Sequence, residues 1–350
     1  MPPLTDARRF RLLAAVICLF LGVIRLHSQD IHLSQFFNTP LQRNPALAGI
    51  FTGDVRVQAV YRNQWSSVSY PYQTHSLNAE YKFPVGNGDD FMTVGASAFY
   101  DRAGIQDLKT LQVMPALNFH KSLSGERSTY LSGGFMAGFV SRQFNGQKLT
   151  FDNQYNGHYY DPSIATGEQF TGLSKSFFDV AVGLSFNREF ANNAVYYLGT
   201  SLWHFNKPSA GFLNDEIVLS PKWQFNAGLK YPLNDELRVR VEGDQLIQGN
   251  FKQTIVGAVL LYDVGGEEHD NASMSGITIG GGALLRVNDA IIPYLQLTYN
   301  NLDVGISYDI NISPLKTASQ GQGGFEFSLS YRAFTSNHDY RLNGLRCPRF

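Results

Sequence analysis

Cysteine is nearly missing from this sequence. Two occur in 350 residues. Cys18 sits in a stretch that reads as an export signal, and Cys347 would be left alone, so no intrachain disulfide framework can hold an exported product together. An excess of either charge is missing too. With 28 Lys and Arg against 29 Asp and Glu, the formal net charge is −1, which gives no electrostatic footprint for nucleic acid. Beyond the leader no stretch reaches about 18 uninterrupted apolar residues, which excludes a transmembrane helix and leaves a membrane barrel open. A spanning strand needs only about 9–11 residues with every second side chain apolar, so its mean hydropathy stays near neutral. The chain's mean hydropathy of −0.17 suits such a barrel, as do its 13% aromatic residues and 33 Gly. These values equally suit a soluble all-β protein.

Catalytic motifs are missing as well. The chain has 8 His and many Ser and Asp, but none falls in a nucleophile-elbow or zincin motif, so the chain is not expected to be an enzyme. The run "GGGALL" (280–285) lacks the spacing and the Lys of a phosphate loop. It lies in a strand pattern, where glycine serves close packing. Glu267, Glu268, His269 and Asp270 are adjacent in sequence, and adjacent residues rarely converge on one ion, so they read as a solvated loop. No cofactor or metal is expected.

What is present begins with a leader. Arg8, Arg9 and Arg11 precede an apolar run from Leu12 to Ile24, and Ser28 is a small residue before Gln29, although Leu26 fits a cleavage site poorly. Residues 1–28 are expected to be a signal peptide, the alternative being a retained membrane anchor. Cys18 follows Ile17 and does not resemble a lipid-attachment cysteine.

The body of the chain alternates. In "LRVRVEGDQL" (237–246) Leu237, Val239, Val241 and Gly243 oppose Arg238, Arg240, Glu242 and Asp244, a period of two that no helix face produces. Charges on a lipid face would cost about 2–4 kcal/mol each near mid-membrane, so in a membrane this charged row must point inward. The segments 54–65, 74–83, 221–231 and 325–331 repeat the pattern. Strands are expected near 54–65, 73–83, 91–101, 108–120, 129–140, 176–188, 195–204, 221–231, 236–247, 251–262, 275–287, 290–300, 302–310 and 324–334. That even number, about fourteen, is what antiparallel bacterial barrels require. "PLND", "QGN" and "NN" supply hairpin turn chemistry. Aromatic residues collect at strand ends (Tyr61 and Trp65, Tyr81 and Phe83, Trp223 and Tyr231, Phe325 and Tyr331) as interface girdles do. Long excursions at 141–175, 205–220 and 311–323 share one side, which is the outer side if the N-terminus is periplasmic. The long link 264–274 falls on the other side.

The expected fold is therefore all-β, a transmembrane antiparallel barrel of about 14 strands. Its inward charges Arg56, Arg62, Arg238, Arg240, Glu242 and Asp244 either line a solute path or pair around an internal segment. The excursion "LTFDNQYNGHYYDPSIATGE" (149–168), dense in Asn, Asp, Gly and Tyr, suits adaptable protein contact.

Four stretches together resemble the PorP/SprF family of outer-membrane proteins from the Bacteroidetes type IX secretion and gliding machinery. They are "QDIHLSQFFNTPLQRNPALAG" (29–49), "VYRNQW" (60–65), "LTFDNQYNGHYYDPSIATGE" and "CPRF" (347–350). The resemblance runs from about residue 29 to the end of the sequence. Its most specific part is the first motif, with Ser34, Gln35, Asn44, Pro45, Ala46 and Gly49; Leu47 stands where an aromatic is common. It implies an accessory of secretion that binds, helps export or anchors a secreted, adhesin-like protein with a type B C-terminal targeting domain. The alternative is a transport barrel for hydrophobic or small polar solutes. It also implies contacts with outer-membrane lipid and with periplasmic and outer-membrane components of the machine. Cargo contact is expected at Asp152, Gln154, Tyr155, Asp161, Pro162 and Glu168. The expected organisation is a periplasmic or plug-like N-terminal segment (29–53), the barrel (54–334) and a short C-terminal tail (335–350) carrying Cys347, Pro348, Arg349 and Phe350. Both termini are expected on the periplasmic side, and a barrel cut at 29–49 is expected to stay folded.

Overall fold

A strand with a two-residue period shows one face to each side of its sheet. Closing that sheet turns the two faces into a lumen and an outer wall, and leaves no unpaired edge for lipid to meet. The computed structural model describes residues 30–66, 70–86, 89–124, 128–167, 173–212, 217–264, 276–314, 316–335 and 350. The expected signal peptide, the 267–270 cluster, Glu168, Cys347, Pro348 and Arg349 lie outside the described residues. Ile31–Phe350 form one compact unit.

Among the described residues fourteen strands close this ring. They are β1 (Val55–Gln64), β2 (Tyr72–Val85), β3 (Asp90–Ala103), β4 (Leu108–Ser122), β5 (Thr129–Gln143), β6 (Ser174–Glu189) and β7 (Val195–Trp203). The second half is β8 (Lys222–Pro232), β9 (Leu237–Gln248), β10 (Phe251–Val264), β11 (Ile277–Arg286), β12 (Ala290–Tyr299), β13 (Leu302–Asn311) and β14 (Gln322–Ala333). Each pairs antiparallel with its sequence neighbours, and β1 meets β14 from Val55↔Ala333 to Gln64↔Gly324. Every expected strand meets an observed one. Several are longer than expected. β3 to β6 have 14–16 residues, beyond the roughly 9–11 that cross a bilayer. Their extra pairs include Arg102↔Lys109 and Arg142↔Lys175, polar residues for which the alternation of apolar residues gives no signal.

Burial is inverted relative to a soluble sandwich. On β14, Phe325, Phe327, Leu329 and Tyr331 are exposed, whereas Glu326, Ser328 and Ser330 are buried. On β2, Leu77 and Tyr81 face out, and Ser76, Asn78, Glu80 and Lys82 face in. The outer wall is apolar and the lumen polar, as lipid outside demands. Aromatic pairs mark both rims: Tyr81 stacks on Phe83 at one end of β2, and Trp65 meets Tyr72 edge-on at the other. Among the described residues no helix is long and apolar enough to cross a membrane, which says nothing of strands.

The two mouths differ. β1 starts and β14 finishes at one, here the terminal mouth. The long connections β5–β6, β7–β8 and β13–β14 gather at the other, the loop mouth. A four-residue helix, α1 (Pro40–Arg43), lies between two short 3-10 turns, Phe36–Asn38 and Pro45–Leu47. Pro40 and Pro45 open their turns, where a missing N–H costs nothing. A second short helix, α2 (Lys316–Ser319), sits in the β13–β14 connection.

Candidate functional site

Residues 31–51 cross the lumen lengthwise, and the site is built around them. At the loop mouth the Ser34 and Gln35 N–H groups donate to the two oxygens of Glu326 on β14, at 2.8 and 2.6 Å. The Ser34 hydroxyl donates to Asp309 on β13 at 2.7 Å and accepts from Arg62 on β1 at 2.7 Å. Arg62 and Arg286 both pair with Asp309, at 2.8 and 2.9 Å, and Arg62 reaches Glu326 at 3.2 Å. Two carboxylates and two guanidiniums are thus buried together, with Ser34 at their centre. Such a cluster is tolerable in a low dielectric only because each charge is paired and hydrogen-bonded.

Midway, Leu41 is fully buried against Met114, Met136, Ala181 and Trp203. Arg43 donates from Nε and Nη2 to Asp244 at 2.8 and 2.6 Å, from Nη1 to Glu242 at 3.1 Å, and from Nη2 to the Tyr197 hydroxyl at 2.8 Å. The Asn44 side chain caps the next turn by accepting from Ala46 N–H at 2.9 Å. Its amide nitrogen donates to the carbonyls of Leu184 and Thr200, both at 3.1 Å. The Ala46 carbonyl accepts from Asn118 at 2.9 Å and from Ser185 at 2.8 Å. Backbone fits this close to the wall because inward positions there are glycine. A Cβ on Gly134 would lie 2.3 Å from the Pro45 carbonyl carbon, and one on Gly183 would lie 1.9 Å from Asn44 Oδ1.

At the terminal mouth Gly49 N–H donates to Glu80 Oε2 at 2.8 Å, and Arg56 grips the same carboxylate from Nε and Nη2 at 3.0 and 2.8 Å. Lys82 donates to the Phe51 carbonyl at 2.7 Å. Gly49 has φ +79°, and a Cβ there would be 2.0 Å from Thr93 Oγ1. The position requires glycine twice over.

All six residues of the N-terminal motif therefore meet the inner wall: Ser34, Gln35, Asn44, Pro45, Ala46 and Gly49. The inward charges Arg56, Arg62, Glu242 and Asp244 pair with this segment or around it. Arg238 pairs with Asp263 at 2.6 Å, and Arg240 donates to Gln296 at 3.1 Å. Sequence reasoning missed Arg43, Glu80, Tyr197, Arg286, Asp309 and Glu326. Arg43 belongs to the lumen-crossing segment, and the others are single polar residues on inward wall positions. Glu80 faces Arg56 across the β1–β2 hairpin, whereas the partners of the rest come together only through the tertiary fold. Ile31, His32 and Leu33 sit beside Lys222, Leu246 and Ile255 at the loop mouth, while Phe350 lies with Leu47 and Ile50 at the terminal mouth. The two ends of the compact unit are not at one mouth, because about twenty residues spanning the lumen separate Ile31 from β1.

The 149–167 excursion stands at the loop mouth. Tyr155, Tyr159 and Tyr160 are exposed there, as are Asp152 and Pro162. Tyr155 and Tyr160 form an antiparallel bridge. Gln154 is turned in. Its amide donates to the Ile164 carbonyl at 3.1 Å, which shapes the loop. Asp161 accepts from the Ser163 hydroxyl at 2.6 Å and closes a local turn. Among the described residues no three or more His, Cys, Asp or Glu side chains are placed to hold a metal ion.

The family profile described as "Type IX secretion system membrane protein PorP/SprF" matches residues 26–331. The chain belongs to the PorP/SprF family. As a member it is a membrane protein of type IX secretion, and its closed, lipid-facing wall makes it an outer-membrane β-barrel. The family is one of secretion-system barrels rather than of enzymes. No curated protein matches the chain in sequence. Among solved structures, it is similar to the Ralstonia pickettii toluene transporter TbuX (10% identity, 85% of this chain and 94% of that one, TM-score 0.47). Others are the TodX monoaromatic hydrocarbon channel deltaS2 mutant (11%, 84% and 93%, 0.47) and the translocator domain of the autotransporter NalP from Neisseria meningitidis (10%, 94% and 97%, 0.40).

Proposed function

We propose that this PorP/SprF barrel works by recognition and anchoring. In this reading the loop mouth faces outward and holds a secreted, adhesin-like protein bearing a type B C-terminal targeting domain. The terminal mouth faces periplasmic components of the type IX machine. The observation that carries the reading is the occupied lumen. Residues 31–51 are hydrogen-bonded or ion-paired to inward side chains around the ring, from Glu80 on β2 to Glu326 on β14. A barrel whose lumen is crossed and tied by its own chain holds its mouths in shape for a partner. The exposed Tyr155, Tyr159 and Tyr160 support the choice of mouth, since rigid amphipathic rings give contact area at low entropy cost.

The test is a pull-down of the tagged barrel from its native membrane, with and without residues 149–167. The expected outcome is one exported protein that co-purifies with the intact chain and is lost with the loop. Recovery of no exported partner, together with solute conductance by the purified barrel in a planar bilayer, would instead establish the transport reading.

A further inference from the structure

At the terminal mouth a cavity of about 220 Å³ opens between the lumen-crossing segment and the wall. One corner of it is apolar. Leu47, Ile50 and Tyr197 form a hollow there, and Phe350 packs into it. The Phe350 ring meets Tyr197 edge to face, with centroids 4.5 Å apart and planes at 88°, the arrangement aromatic quadrupoles favour. The floor is Gly228. A Cβ at that position would lie 2.2 Å from Tyr197 Cε1 and 2.7 Å from Phe350 Cζ, so the missing side chain is the space the two rings use. Lys230, two residues along the same inward face, holds its Nζ 5.9 Å from the Phe350 centroid. The opposite side of Tyr197 belongs to the segment's anchor, because its hydroxyl accepts from Arg43 and donates to Glu242.

We propose that this hollow is a binding site for an aromatic side chain, that Phe350 of the same chain is its occupant, and that occupancy clamps the lumen-crossing segment at the terminal mouth. The contact joins Phe350 to Leu47, Ile50 and Tyr197, distant in sequence, without a covalent link, so it is reversible. Another aromatic residue presented at this mouth would compete for it. The inference concerns the barrel alone and does not depend on the secretion reading.

Two measurements test it on the full chain with Cys18→Ser and Cys347→Ser. In the first, Ile50→Cys and Phe350→Cys are treated with a short bis-maleimide in the folded barrel. The expected result is an intramolecular link that shifts migration of the denatured chain. In the second, Ile50→Cys alone is labelled with a maleimide in the presence of Phe350 and after Phe350→Ala. Labelling is expected to rise about tenfold on losing the ring, and Phe350→Tyr to restore protection. Heat-modifiable migration checks that folded barrels are compared. Equal labelling rates with and without the ring, in barrels that keep heat-modifiable migration, overturn the proposal.

Discussion

Removing Arg43 would leave Asp244 and Glu242 buried in the lumen without the cation that both now accept from. Breaking a buried pair from one side costs about 3–5 kcal/mol, because the remaining charge keeps its desolvation penalty. Arg43→Ala is expected to lower the urea midpoint of unfolding by a corresponding amount. Adding Asp244→Asn and Glu242→Gln should recover most of it. If the single and triple variants unfold alike, the cluster is solvated and carries no such strain. Glu80 binds in the same manner, tying Arg56 to the Gly49 N–H. The segment is thus held at both mouths and in the middle by charges that few other residues could satisfy.

The strands obey the opposite rule on their outer face. Val241 lies near the middle of β9 with its side chain toward lipid, flanked by the inward Arg240 and Glu242. Val241→Arg is expected to destabilise the barrel in a bilayer by about 2–4 kcal/mol, measured by folding into vesicles against urea. The neighbouring charges cost nothing comparable because they face the polar lumen.

Between strands, the 104–107 link is tied to the long excursion by Asp107, which pairs with Arg102 and Lys148. Hydrogen bonds from Lys148, then Arg102, hold the Asp107 carboxyl below its ordinary value of 3.8. A carboxylate with a lowered folded pKa contributes above its unfolded value, and that contribution is lost as pH falls through the folded one. The tie should therefore stay constant across the neutral range and release only below about pH 3.8. The amide of Asn145, which donates to the Gln106 carbonyl at 2.8 Å, reports this by hydrogen exchange relative to its intrinsic rate. Release near neutral pH would show that another group holds the loop. The pair is exposed, so global stability should barely change.

For the barrel as a unit, the inner segment is core. Deleting 31–49 would strip Glu326, Asp309, Glu242, Asp244 and Glu80 of partners and leave Met114, Met136 and Trp203 facing a void. The truncated chain is expected to lose heat-modifiable migration, in contrast to the expectation from sequence that a shortened barrel would stay folded. If it retains that migration, the segment is an insert and not part of the fold.

Alternation along 237–246 was enough to separate inward charges from an outward apolar row, because a strand's side-chain period is a local property of its backbone. Strand number, the inverted wall and the grouping of long connections followed from that period and from turn residues. The motif 29–49 was recognisable as a pattern, but its path was not. Asn44 reaches carbonyls on β6 and β7, and Ser34 reaches carboxylates on β13 and β14, more than two hundred and seventy positions away. No local rule records such pairs. They exist because closing fourteen strands brings isolated inward residues around one axis, where buried charge and unpaired backbone must find partners. That closure also decided that Ile31 and Phe350 lie at opposite mouths. Periodicity set which side of each strand faces lipid, and only the closed ring determined what its lumen holds.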